Sequence, residues 1–103
     1  MNGLSFLSQY SFFNNLQKLK FVEKIILYGS RARQDAQERS DIDIAISCPN
    51  ATENDWQQIV DIIENADTLL KIDCVWLEKL YSENPLKQAI MKEGIVIYRK
   101  MNE

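Results

Sequence analysis

The chain has 103 residues, 46% hydrophobic and 26% charged, with 12 Lys and Arg against 15 Asp and Glu for a net charge of −3. That is the composition of an ordinary folded protein, and the acidic balance argues against a broad basic surface for direct DNA binding. The length suits one domain, 1–103, without a separate substrate domain; no apolar run approaches the roughly 18 residues of a membrane span, and no secretion signal is readable, so the expected compartment is the cytoplasm.

Residues 4–20 read as a helix: Phe12, Phe13, Leu16 and Leu19 fall on one face, with Lys18 and Lys20 off it. EKIILYG, 23–29, reads as a buried strand closed by Gly29. The polar stretch SRARQDAQER, 30–39, is expected to form a short helical turn and a loop. DIDIAIS, 41–47, is a second strand, stopped at Cys48-Pro49. Thr52, with Asp55 three residues on, is suited to cap the next helix. There Trp56, Ile59, Val60 and Ile63 repeat as a core-facing stripe. The segment 71–80 opens with a third strand. Asn84 and Pro85 read as the cap and first residue of a last helix, with Leu86, Ala89 and Ile90 as core positions and Gly94 as its stop. IVIYR, 95–99, is a final strand. The order predicts an α/β (α+β) fold, a short mixed sheet of about four strands with helices covering one face.

The chemistry available is narrow. There is no histidine, which removes Ser/His and Cys/His catalysis and every His-containing zinc site. Cys48 and Cys74 are too few for a Cys-only zinc site and are expected as buried free thiols. Three glycines cannot build a Walker loop or a dinucleotide fingerprint. Carboxylates, hydroxyls, Arg and Lys remain, and those suit metal-dependent phosphate chemistry.

The sharp feature is Gly29-Ser30, ten residues, then Asp41-Ile42-Asp43. Spaced i, i+2 on a strand, Asp41 and Asp43 share a face. Two carboxylates there repel unless something positive sits between them, so the pair is expected at a strand end that opens to solvent. All-oxygen ligands argue for magnesium or manganese over zinc. Asp73, between apolar neighbours on the next strand, is costly unless paired, metal-bound or exposed. Beside Asp41 and Asp43 it completes a three-carboxylate cluster, which can hold two metals about 3.5–4 Å apart and clamp a phosphoryl transfer. Gly29 allows backbone to approach a phosphate closely, and the Ser30 hydroxyl can donate to it. Arg31, Arg33 and Arg39 fall between the turn and the Asp pair, and guanidinium forks match phosphate oxygens.

These residues resemble the DNA polymerase beta-like nucleotidyltransferase superfamily, matched at Gly29-Ser30, Asp41, Asp43 and Asp73. GSRARQDAQERSDIDIAI is especially similar to the minimal nucleotidyltransferases (the MNT antitoxin type), and the resemblance spans about residues 20–100. It implies that Asp41 and Asp43 bind two Mg2+ ions, or Mn2+. Asp73 would be a metal ligand that also orients or deprotonates the attacking hydroxyl. Ser30 would hold the distal phosphates of ATP. The family often has a glycine just after the second arginine, where this chain has Gln34. The resemblance also implies a partner: a helical HEPN-domain toxin, one of whose tyrosines receives AMP from ATP, in a hetero-oligomeric toxin–antitoxin pair.

Two other functions fit the same residues. One is a nucleotide-binding protein that neutralises or scaffolds its partner by contact alone. The other is a nucleotidyltransferase acting on a small-molecule hydroxyl at a subunit interface. Tyr10, Trp56, Trp76 and Tyr81 are interface candidates, though each also suits the core.

Overall fold

A computed structural model describes residues 6–101. Its centre is a four-stranded sheet in the order β3-β2-β1-β4. Strands β1 (Lys24–Tyr28) and β2 (Ile42–Ser47) lie inside and are almost wholly buried. Strands β3 (Ile72–Trp76) and β4 (Ile95–Arg99) form the more exposed edges. β1 runs antiparallel to both β2 and β4, whereas β2 and β3 are parallel. A parallel pair cannot be joined by a tight hairpin. Here α3 (Glu53–Glu64) makes the crossover.

Alternation sorts the side chains into two apolar layers. Ile25 and Leu27 of β1 join Ile42, Ile44 and Ile46 of β2 on one face. Phe12, Phe13 and Leu16 of α1 (Ser11–Gln17) and Ile59 of α3 cover it. On the other face Ile26, Tyr28 and Ala45 meet Leu77 of a 3-10 helix (Leu77–Lys79) and Ile90 of α4 (Pro85–Glu93). Helices therefore cover both faces, not the one that was expected. Strands that bury both odd and even positions need cover on each side, which is why β1 and β2 read as near-continuous apolar runs.

Local signals place several ends correctly. The Thr52–Asp55 pair forms a reciprocal cap, with Thr52 N–H donating to Asp55 at 2.9 Å and Asp55 N–H to Thr52 at 3.1 Å. Asn84 accepts from Leu86 N–H at 2.8 Å, and Pro85 opens α4. Of the expected core positions in α4 only Ile90 is buried; Leu86 and Ala89 are exposed.

The first helix differs most from expectation. Residues 4 and 5 of the predicted span lie outside the described residues, a turn breaks it at 8–10, and α1 covers only Ser11–Gln17. The cause lies far along the chain. The Asp67 carboxylate accepts from Ser11 N–H at 3.0 Å and Phe12 N–H at 3.3 Å, supplying the cap that Tyr10 lacks. Among the interface candidates, Trp56 stacks on Trp76 with ring centroids 5.1 Å apart, Tyr10 stacks on Phe12, and Tyr81 is exposed. Cys48 and Cys74 are free thiols, the first buried and the second partly so. Among the described residues no helix is long and apolar enough to cross a membrane.

Candidate active site

Strand register decides which side chains meet. Tyr28, the last residue of β1, stands opposite Asp43 of β2. Asp43 in turn stands opposite Asp73 of β3. Residues paired across strands share a face, so Tyr28, Asp43 and Asp73 form one row across three strands. The row sits where β1 gives way to Gly29 and Ser30.

Gly29 is needed there for two reasons. Its φ of +74° lies in the region that side chains disfavour, and a Cβ would collide with the Asp43 carboxylate. The turn backbone is thus packed directly against Asp43. The Gly29 carbonyl accepts from Ala32 and Arg33 N–H, both at 3.1 Å, and starts α2 (Ser30–Arg33). That helix ends at Gln34, whose φ of 66° is left-handed. This is the position where the resemblance expects glycine, and the backbone keeps the conformation glycine would favour.

The row carries surplus negative charge. Desolvation, the Asp73 charge and a hydrogen bond with it, and then the Asp41 charge hold the Asp43 carboxyl above the ordinary aspartate range, with Arg33 opposing. Burial, with Asp43 and Asp73 beside it, pushes the Tyr28 phenol up to about 12, so it stays protonated.

The expected three-carboxylate cluster is a close pair with a neighbour. Asp43 and Asp73 come together. Asp41 lies just ahead of β2 and is exposed. Among the described residues no three His, Cys, Asp or Glu side chains are grouped to hold a metal ion. The i, i+2 rule holds only inside a strand, and the pleat starts at Ile42. Asp73 also escapes the expected cost of burial: β3 is an edge, the side chain is 44% exposed, and Lys71 Nζ lies 3.7 Å from its Oδ1.

The donor set nonetheless fits a divalent cation. It is all oxygen, and the Asp43–Asp73 pair has charge left to neutralise. Asp43, Asp73 and the adjacent Asp41 are the residues that would hold it.

The arginines have separate places. The Arg31 guanidinium donates to the carbonyls of Ser40 at 2.8 Å and Glu38 at 3.3 Å and lies 4.3 Å from the Phe6 ring centroid. It clamps the loop that leads into Asp41. Arg33 pairs with Asp35 at 3.1 Å and Glu93 at 3.4 Å, and its charge reaches Asp43. Arg39 is exposed and, like Lys71, lines a surface cleft. Sequence reasoning missed Tyr28 and Lys71. Counting the antiparallel register back from the Gly-Ser turn would have found Tyr28; Lys71, just ahead of β3 and two residues before Asp73, shows only the spacing.

The model of the family described as "Polymerase beta, Nucleotidyltransferase" matches residues 12–103. No curated protein matches the chain. Among solved structures, a toxin-antitoxin crystallised with AMP-PNP is 20% identical with a TM-score of 0.61, covering 87% of this chain and 73% of that one. A mutant of the toxin-antitoxin MntA-HpeT has the same identity and TM-score, covering 97% and 74%. A candidate nucleotidyltransferase from Sulfolobus solfataricus is 17% identical with a TM-score of 0.58, covering 94% and 80%. At these identities the structures establish a shared fold, and the family model, which spans most of the sequence, establishes more: the chain belongs to the polymerase beta nucleotidyltransferase family.

Proposed function

We propose that this chain transfers AMP from ATP to a hydroxyl on a protein partner, a tyrosine of a helical HEPN-domain toxin, and so acts as an antitoxin. One observation carries the reading: a row of Tyr28, Asp43 and Asp73 across three strands lies against a Gly-Ser turn. Solved relatives described as toxin-antitoxin, one of them with AMP-PNP, support the class of partner and nucleotide. The chain acts as a single domain, 1–103. The free thiols suit a reducing compartment, the cytoplasm.

In the reaction the acceptor oxygen bonds to the α-phosphorus, the bond to the β-phosphate oxygen breaks, and pyrophosphate leaves. Asp73, half exposed at the sheet edge, orients the hydroxyl and takes its proton. Ser30 donates to the distal phosphates, and Gly29 keeps the approach open. Asp41, Asp43 and Asp73 would hold two Mg2+ ions, or Mn2+, which would supply charge neutralisation for the transfer. The Tyr28 hydroxyl stays protonated and is a donor to the site. Arg33 offsets part of the Asp43 charge. Positioning and electrostatics account for most of the rate gain.

The test is transfer of labelled AMP to the copurifying partner. Asp43→Asn should lower it by at least about a hundredfold with the fold intact. Undiminished labelling would reject catalysis at this site. A second reading, neutralisation by contact alone, is favoured by the lack of an assembled three-acid group among the described residues. Full neutralisation of the partner by Asp43→Asn would select it. Labelling of a small hydroxyl compound instead of the protein would change the acceptor class.

A further inference from the structure

The two edges of the sheet are not alike. β4 is interrupted by a bulge where it meets Ile25 and Ile26 of β1, and a bulged edge pairs poorly with a further strand. β3 keeps unbroken register with β2 from Ile72 to Trp76 and has no strand on its other side. Its residues, IDCVW, include one charge and no proline, so the edge is weakly guarded against pairing. The Ile42 N–H donates to the Lys71 carbonyl at 2.8 Å. Backbone groups alternate in direction along a parallel ladder, so Asp73 and Val75 face β2, and Ile72 and Cys74 turn theirs outward. Among the described residues no loop or turn backbone bonds to those two.

The side chains of the same two residues line a slot of about 230 Å³ between β3 and α3. Trp56, Val60 and Ile63 form its helical wall, and Trp56 is braced by its stack on Trp76. The volume is below the roughly 300–1,000 Å³ of small-molecule sites. It suits aliphatic side chains standing two residues apart on a strand. On the opposite face of β3, Asp73 stands in the acid row, where negative charge is in surplus.

We infer that the β3 edge binds an extended segment of another protein as a fifth strand, aliphatic at alternate positions with no acid between them. The outward donors and acceptors of Ile72 and Cys74 supply the pairing, and the slot selects the side chains. The residue between them falls opposite Asp73 on the acid face, where a like charge is repelled. The same repulsion disfavours a second copy of this chain. The antiparallel register that uses Ile72 and Cys74 of both copies sets Asp73 directly opposite Asp73. This surface is independent of the AMP-transfer reading.

The probe is a blocked peptide, Ser-Val-Thr-Val-Ser, titrated into the full chain while amide hydrogen exchange is followed by NMR. It should slow exchange at Ile72 and Cys74 by at least about tenfold and leave Asp73 and Val75 as they were. Two methylated forms test the pairing, one with N-methyl groups on both valines and one with an N-methyl group on the threonine. Strand addition requires that one form lose binding and the other keep it, because alternate residues face the edge. Ser-Val-Glu-Val-Ser should bind more weakly than the parent peptide. Val60→Lys should weaken the parent peptide by about tenfold. The methylated peptides act on the unaltered chain, so they decide the matter even where that variant unfolds. Equal behaviour of the two methylated forms would overturn the inference in favour of side-chain contact alone. Equal binding of the glutamate peptide would overturn the stated chemistry of the segment. Protection of Ile72 and Cys74 that grows with protein concentration, without peptide, would assign the edge to a second copy instead.

Discussion

Asp43 holds an unfavourable position. Its pKa is raised in the folded chain by desolvation first and by Asp73 and Asp41 after it. A raised carboxyl binds its proton more tightly folded than unfolded, so the ionised group opposes folding. The penalty is absent below the ordinary value of 3.8 and grows as pH climbs through the raised folded value. Asp43→Asn should therefore raise the melting temperature at pH 7, and the gain should vanish below about pH 3.8. Thermal melts of both proteins across pH decide it; a lower melting temperature for the variant at pH 7 would mean that Asp43 stabilises the fold. Gln34 offers a second test. A side chain in the left-handed region costs about 1 kcal/mol relative to glycine. Gln34→Gly should stabilise by roughly that amount, read as a higher urea midpoint with unchanged slope. The types of the site residues were legible in the sequence at this scale. Their grouping was not: Asp43 pairs with Asp73 by register, whereas Asp41, exposed just ahead of β2, reaches Asp43 only through its charge.

Elements follow local rules until a distant residue intervenes. The α3 start was readable because its cap, Thr52, and its partner, Asp55, lie three residues apart. The α1 start was not, because its cap is Asp67, more than fifty residues away. The backbone N–H donors of Ser11 and Phe12 hold the Asp67 carboxyl below its ordinary range. A depressed carboxyl stabilises the fold above its unfolded value, 3.8, and that contribution is lost as pH falls through the lower folded value. Asp67→Ala should lower the melting temperature at pH 7, and the two proteins should converge in acid. A constant difference down to low pH would show that the cap is not the cause.

At the scale of the whole molecule, two-sided cover of the sheet sets what is costly to change. Ile44 is fully buried, and Ile44→Ala should cost about 2–5 kcal/mol in urea unfolding. Leu86, 36% exposed on α4, occupies a position the helical pattern assigns to the core, yet Leu86→Ala should stay within about 0.5 kcal/mol. Equal costs would mean that α4 is more deeply docked than its exposure indicates. The helical pattern failed here because α4 meets the sheet chiefly through Ile90, against Ile26, Tyr28 and Ala45.

The sequence by itself determined the order of elements, most of their ends, and an inventory of acids, a Gly-Ser turn and no histidine. Those are properties of neighbours, set by periodicity, caps and residue type. Tertiary structure alone decided that helices cover both faces, that Asp67 starts α1, and that Tyr28 joins Asp43 and Asp73 in one row. It also turned Arg31 toward the carbonyls of Glu38 and Ser40. The cover, the cap and the row each depend on the pairing of segments distant in the chain. Strand order and register are set by the packing of the whole sheet, and no local pattern of residues carries them.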